Sequence, residues 1–338
     1  MKAVGYSKSL SVTEKEALVD FTAEKPEPAG RDLRVAVKAV SVNPVDTKVR
    51  LRAAPGPGEP PKVLGYDAAG VVDAVGPEVT LFKAGDEVFY AGSITRPGTN
   101  AEFHLVDERI VGRKPRSLPF AHAAALPLTS ITAWELLFDR FAVPRDNTPD
   151  GRALLVIGGA GGVGSMMIQL TRKLTGLTVI ATASRAETRA WCERLGAHHV
   201  IDHTRPLAAQ LKAAGHANVA LIASLTGTDQ HYPAVPDIIA PQGKFGLIDD
   251  PKSLDVSLLK RKAASLHWES MFTRAIFQTP DMIAQHRLLN EVAALIDSGD
   301  LVTTATKEFT PINAANLKAA HALVESGRMI GKVVLEGW

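Results

Sequence analysis

One stretch constrains the fold of this chain more than any other. Residues 153–164 read Ala-Leu-Leu-Val-Ile-Gly-Gly-Ala-Gly-Gly-Val-Gly. Ala153 to Ile157 is an apolar run of strand length, and it empties directly into a glycine-rich turn. From Val163 to Leu174 the pattern is helical. Gly159, Gly161 and Gly164 fit G-x-G-x-x-G between a strand and a helix. In that motif the first glycine permits the tight turn. The second lets backbone approach a pyrophosphate, and the third lets helix and strand pack closely. Unsatisfied N–H groups and the helix dipole favour an anion at the helix start. Gly159, Ala160, Gly161, Gly162, Val163 and Gly164 are therefore the expected cradle of a dinucleotide.

The rhythm around this stretch extends the reading. Leu177 to Thr182 is a second strand, and Arg185 to Leu195 a helix stopped by Gly196. His199–Asp202, Val219–Ser224 and Gly243–Ile248 read as further strands, with helices at Leu207–Ala214 and Tyr232–Ala240. This alternation predicts an α/β fold of the Rossmann type, a doubly wound parallel sheet with helices on both faces. Residues 1–120 read differently, as a β-rich unit with Arg34–Val42 and Gly70–Val75 as strands and Ala53–Lys62 as a surface loop. Residues 121–140 look helical, interrupted at Pro127. Arg140–Gly151 reads as a connector. The tail carries helices at His286–Ser298 and Asn313–Glu325, then a last strand at Lys332–Leu335.

Composition narrows the class. A chain of 338 residues exceeds what one core organises, so two domains are expected. A net charge of +2 gives no footprint for nucleic acid or a membrane surface. The single cysteine, Cys192, excludes an intrachain disulfide and a cysteine-rich zinc site. Met1–Leu10 has no signal-like apolar core, and no run approaches the roughly 18 apolar residues of a membrane span. A cytoplasmic enzyme with a small-molecule substrate is the expectation.

Cofactor preference is read at the end of the second strand, Val179 to Arg185. An acidic residue there would bind a ribose 2′-hydroxyl and repel a 2′-phosphate. Ala183 is neutral, and Ser184 and Arg185 follow it. A hydroxyl and a guanidinium suit a phosphate dianion, which points to NADPH. Ser184 also reads as a helix cap. His203, in the loop after the third strand, is a candidate neighbour of the adenosine.

Several further segments carry a resemblance. Leu64-Gly65-Tyr66-Asp67-Ala68-Ala69-Gly70-Val71-Val72 looks like "L-G-H-E-x-x-G-x-V", and Gly85-Asp86-Glu87-Val88 like "G-D-x-V". Leu126-Pro127 through Thr132-Ala133-Trp134 looks like "L-P…T-A-Y", and Gly331-Lys332-Val333-Val334 like "G-K-x-V". With these motifs the whole chain resembles the medium-chain dehydrogenase/reductase superfamily. Ser41–Asp46 and Gly98–Phe103 resemble its quinone oxidoreductase branch. Ser224–His231 and His267–Phe272 resemble a bacterial subgroup labelled zinc-type alcohol dehydrogenase-like. The resemblance implies a GroES-like catalytic domain from residues 1–123 and 275–338, and an NADP-binding Rossmann domain from 124–274. It also implies a homodimer.

Zinc-dependent members hold the metal with Cys, His and Cys, where this chain has Asn43, Tyr66 and Leu128. An amide, a phenol and an alkyl group do not replace two thiolates and an imidazole, and no metal site is expected. The resemblance and this chemistry then point to hydride transfer onto a quinone or an α,β-unsaturated carbonyl, whose charge spreads onto an oxygen that a hydrogen-bond donor can stabilise. A zinc-type alcohol dehydrogenase with atypical ligands and a non-catalytic NADPH-binding protein are the alternatives. Tyr66 and Asn43, implied to lie beside the nicotinamide, are the expected catalytic residues. Asp46 joins them, with a loop-tethering role as its other reading. Thr129 is expected on the nicotinamide side by position. Lys48 and Arg50 read as solvated cations near the mouth. Trp268, Met271 and Phe272 are open between pocket wall, core and interface.

Overall fold

The computed structural model describes all 338 residues. They form two compact units: Met1–Ile131 with Phe272–Trp338, and Thr132–Met271.

The second unit is built on a six-stranded sheet whose neighbouring strands all run parallel. Its spatial order is His199–Ile201, Thr178–Thr182, Ala153–Ile157, Val219–Ser224, Ile239–Leu247, Ser265–Trp268. The chain grows outward one way from Ala153–Ile157, then returns to its other side. That reversal is the switch point at which such sheets bind ligands, beyond the carboxyl ends of their strands. Every residue of Ala153–Ile157 is buried, as a strand covered on both faces requires. Leu155, Ile157, Ile180, Ile222, Phe245 and Leu247 share its core.

Three local features differ from expectation. The predicted helix Tyr232–Ala240 is a 3-10 turn at Tyr232–Ala234 and a short helix at Val235–Ile238, preceded by a separate turn of helix at Thr228–His231. Pro233 and Pro236 supply no N–H to a continuous helix, and the strand begins already at Ile239. The helical stretch 121–140 divides at Pro127 as expected, into Phe120–Ala124 and Pro127–Trp134, but continues as a π-helical turn, Glu135–Arg140. Ser265–Trp268 adds an edge strand that was not anticipated, with Trp268 56% exposed.

The first unit centres on the strand Asp32–Val42. Ala68–Val75 pairs with it antiparallel along one edge, and Lys332–Glu336 along the other. Phe103–Asp107 also pairs with its first half. With Glu87–Tyr90, Val111–Arg113 and Ala305–Phe309 they make a seven-stranded sheet. Val19–Thr22, Lys2–Tyr6 and Lys62–Val63 form a separate three-stranded sheet. The return segment after Phe272 thus completes the sheet begun by the first hundred residues. At Val42 the central strand ends and the helix Pro44–Arg52 starts at once, with Asn43 as its N-cap.

Candidate active site

Strand register decides what surrounds Asn43. Val42 lies opposite Val333 on one side, and Val40 opposite Ala68 on the other. The residues flanking those partners, Lys332 and Asp67, are thereby delivered to the two sides of the strand end. The Asn43 Nδ2 donates to Asp67 Oδ2 at 2.7 Å, and Lys332 Nζ donates to Asn43 Oδ1. Lys332 also donates to the Val42 carbonyl at 2.9 Å and pairs with Asp67 Oδ2 at 3.2 Å. The other oxygen of Asp67 accepts the Leu128 N–H at 2.8 Å, satisfying an amide in the first turn of Pro127–Trp134. Asn43, Asp67 and Lys332 are all buried. Burial pushes the Asp67 carboxyl up and the Lys332 ammonium down, each opposed by the charge of the other.

Asp46 takes its place from the same helix start. Its Oδ2 accepts the Asn43 N–H at 2.7 Å and its Oδ1 the Gly65 N–H at 3.0 Å. It therefore clasps the start of Pro44–Arg52 to the segment Leu64-Gly65-Tyr66. Burial raises its carboxyl to about 7, against the pull of those two amides and of Lys332.

Tyr66 stands apart from this saturation. Its ring meets Phe272 edge-on, with centroids 5.4 Å apart. The residue is 1% exposed, yet its hydroxyl has no hydrogen-bond partner. Burial, then the nearby Asp46, pushes the phenol well above its usual range, so it stays a donor. Phe272 and Met271 are buried, whereas Trp268 is largely exposed.

Zinc does not fit these residues. The Asn43 amide is engaged by Asp67 and Lys332, the Tyr66 phenol is held protonated, and Leu128 offers only an alkyl group. No group of three His, Cys, Asp or Glu side chains in the molecule could hold a metal ion.

In the second unit the glycine loop is built almost wholly from backbone. The residue with the left-handed conformation is Gly158, at φ +88°, so the tight turn falls one residue before the Gly159 expected to make it. Gly159 is needed for packing instead: a Cβ there would lie 2.8 Å from Ala181 Cβ. At Gly164 a Cβ would lie 2.4 Å from the Gly158 carbonyl oxygen, so this glycine lets the helix Gly162–Leu174 close on the strand. Gly161 is the contrast. A Cβ there meets nothing nearer than 3.5 Å, and no side chain caps the helix it precedes. The helix start thus leaves its first amides without a side-chain cap, next to a Gly161 with open space at its Cα, the form an anion cradle takes. A pyrophosphate fits these residues.

The remaining expected residues occupy less committed positions. Arg185, not Ser184, is the N-cap of Ala186–Arg194, with its N–H on Thr188 Oγ1 at 3.2 Å. Its guanidinium pairs with Glu187 at 3.0 Å, and Ser184 is exposed beside it. His203 is half-buried with its ring 6.0 Å from that of His231. The Thr129 hydroxyl donates to Leu126 O, just ahead of its own helix, at 3.1 Å. Arg50 is not a solvated cation. It is fully buried, donating to the Leu10 carbonyl and paired with Glu325. Asp67 and Lys332 were not anticipated as site residues. Their only sequence signal was membership of the two quoted motifs.

Known proteins share these domains and this fold. Residues 29–116 match the alcohol dehydrogenase GroES-like domain family, and residues 195–335 the zinc-binding dehydrogenase family. The chain is 42% identical to a zinc-type alcohol dehydrogenase-like protein of Staphylococcus aureus (strain MSSA476), covering 99% of each. It is 30% identical to a quinone oxidoreductase of Pseudomonas aeruginosa, covering 91% of this chain and 92% of that one. A crystallised Rhizobium etli CFN 42 protein, designated a zinc-dependent alcohol dehydrogenase, shares 62% identity and a TM-score of 0.96 over 100% of this chain and 98% of its own. The chain belongs to the medium-chain dehydrogenase/reductase superfamily, in its quinone oxidoreductase-like branch.

Proposed function

We propose that this oxidoreductase reduces quinones or α,β-unsaturated carbonyls with NADPH and without a metal ion. The observation that carries the reading is the Tyr66 hydroxyl, buried and without a partner in the chain. Such a group costs about 1–3 kcal/mol in the free protein, recovered when a ligand accepts its hydrogen bond. A carbonyl or quinone oxygen is such an acceptor, and it gains negative charge as the conjugated system is reduced. A donor preorganised in a dry site stabilises that charge best. The raised phenol pKa keeps the proton on Tyr66 throughout the physiological range.

Asn43 offers the second donor through an Nδ2 hydrogen that Asp67 does not take. Asp46 holds the two donors in fixed relation, because its carboxyl group ties the Asn43 backbone N–H to that of Gly65, the neighbour of Tyr66. Bound NADPH supplies the hydride. Gly159 to Gly164 would hold its pyrophosphate on backbone N–H groups. Ser184 and Arg185 would meet the 2′-phosphate, with Arg185 exchanging Glu187 for a stronger anion. His203 would border the adenosine, and Thr129 the nicotinamide. The exposed edge strand Ser265–Trp268 supports a homodimer.

Alcohol oxidation needs a means of generating an alkoxide, which zinc provides in metal-dependent relatives. The donor set here supplies none. NADPH oxidation against a panel of quinones, enones and simple aldehydes, with and without chelator, tests the reading. Turnover of the conjugated acceptors, unchanged by chelator, is expected. Turnover confined to simple aldehydes, or abolished by chelator, would overturn it. Tight NADPH binding with no turnover at all would make the chain a binding protein.

A further inference from the structure

The cluster around Asn43 has a donor inventory that closes with one vacancy. An ammonium has three N–H groups, and those of Lys332 go to the Val42 carbonyl, Asn43 Oδ1 and Asp67 Oδ2. Lys332 is spent and cannot reach a ligand itself. Asp67 is similarly committed, to Asn43 Nδ2, Leu128 N and Lys332. The Asn43 backbone is engaged as well, its N–H by Asp46 and its carbonyl by the Asp46 N–H at 3.0 Å. What remains is one Nδ2 hydrogen of Asn43.

A carboxamide can turn over, exchanging its donor and acceptor ends. Here it cannot do so cheaply. The ammonium on one side only donates, and the carboxylate on the other only accepts, so a turned amide would set donor against donor and acceptor against acceptor in a buried site. The ammonium also polarises the carboxamide through its oxygen, which makes the remaining N–H a stronger donor. Lys332 begins one strand that flanks Asp32–Val42 and Asp67 immediately precedes the other, which is why they bracket its end.

We propose that Lys332 and Asp67 are positioning residues that lock and polarise the Asn43 carboxamide, so that its remaining N–H is presented to the substrate oxygen alongside the Tyr66 hydroxyl. This rests on the reductase reading above. Neither residue touches substrate; both act through Asn43.

The test is a double-mutant cycle in the full-length protein. Lys332→Met should lower kcat by about 30-fold while KM and the NADPH dissociation constant change less than about 3-fold, as loss of a donor used only in the transition state requires. Lys332→Met/Asp67→Asn removes both charges together, so that neither is left buried without the other, and guards against a folding failure. In an Asn43→Ala background either change should lower kcat by less than about 2-fold, because the donor they serve is already gone. Lys332→Arg should recover part of the lost rate. Side-chain amide NMR reads the lock independently of turnover: Asn43 should show two well-separated Nδ2 proton resonances, which converge in Lys332→Met/Asp67→Asn. An undiminished effect in the Asn43→Ala background would overturn the proposal, as would unchanged amide resonances. Full kcat in Asn43→Ala on an enone that the wild type reduces would overturn it and leave the reductase reading intact. A wild type inert toward every conjugated acceptor would instead overturn the reductase reading, and with it the substrate-facing role assigned to Asn43.

Discussion

The glycine loop and the Asn43 cluster solve opposite problems. At Gly158 to Gly164 the useful groups are backbone amides, and side chains are removed so that they can be reached. Around Asn43 the useful groups are side chains, and nearly every polar atom is consumed by another. On the proposed reading the first region works by vacancy and the second by saturation, with one Asn43 N–H left over and, apart from it, the unpartnered Tyr66 hydroxyl. Substitutions should therefore fail differently. In the loop, added atoms do harm. In the cluster, lost atoms or altered charges do.

The largest effect is expected at Gly164. A valine there would drive its Cβ into the carbonyl oxygens of Gly158 and Gly159, at 2.4 and 2.6 Å. Backbone cannot yield as a flexible side chain does, so Gly164→Val should destabilise the protein by about 3 kcal/mol or more, lowering the thermal midpoint and abolishing NADPH binding. Gly161→Ala sharpens the point. Its Cβ meets no atom nearer than 3.5 Å, so the melting temperature should hold while NADPH affinity falls about 10-fold by titration, since the methyl occupies the cofactor's approach. If Gly161→Ala binds NADPH normally, the vacancy is not where the pyrophosphate sits.

In the cluster, Tyr66→Phe should lower kcat/KM for an enone by more than about 10-fold, near 1.4 kcal/mol of transition-state stabilisation. Its unfolding free energy should be unchanged or slightly raised, because the orphan hydroxyl is gone. A rate equal to wild type would make Tyr66 a space-filler. Arg185→Ala should reduce the preference for NADPH over NADH severalfold in kcat/KM and leave kcat alone; an unaltered ratio would leave the guanidinium to its partners within the chain, Glu187 among them.

The smallest effect concerns pH. The folded protein holds the Asp46 proton up to about 7, against the ordinary 3.8, so it binds that proton more tightly than the unfolded chain does. This contribution to stability is full below the ordinary value and is lost as pH rises through about 7. Asp46→Asn has no such titration. The wild-type unfolding free energy minus that of Asp46→Asn should therefore fall between pH 4 and 7 in denaturant titrations. A flat or rising difference would mean that the carboxylate ionises normally and that its two backbone partners outweigh burial.

Legibility in the sequence followed the same division. Ala153–Ile157 and its glycines could be read because their meaning is local: a buried strand, a turn and a helix start lie within one short run. Even there the turn lay at Gly158, since the motif specifies spacing and not which glycine carries positive φ. The edge strand Ser265–Trp268 was hidden by its shortness and its exposed tryptophan, and the π-helical turn by its helix-like composition. Asn43 and Tyr66 could be found by matching positions. Asp67 and Lys332 could not be assigned a task, because their roles depend on which residues the sheet register sets side by side. Arg50 misled for a related reason: a cation on a polar helix looks solvated until its distant partners, Leu10 and Glu325, are known.

Lys332 lies 289 positions after the amide it steadies. During translation Asn43, Asp46 and Asp67 emerge long before the one ammonium that balances them. Until that late strand docks, burying Asp67 as an anion would leave its charge unmatched. The growing chain must therefore keep this end of the sheet hydrated or protonated while the entire nucleotide-binding unit is being made. That strand completes the sheet begun by the first hundred residues, so a chain lacking it lacks the ammonium that holds the Asn43 carboxamide.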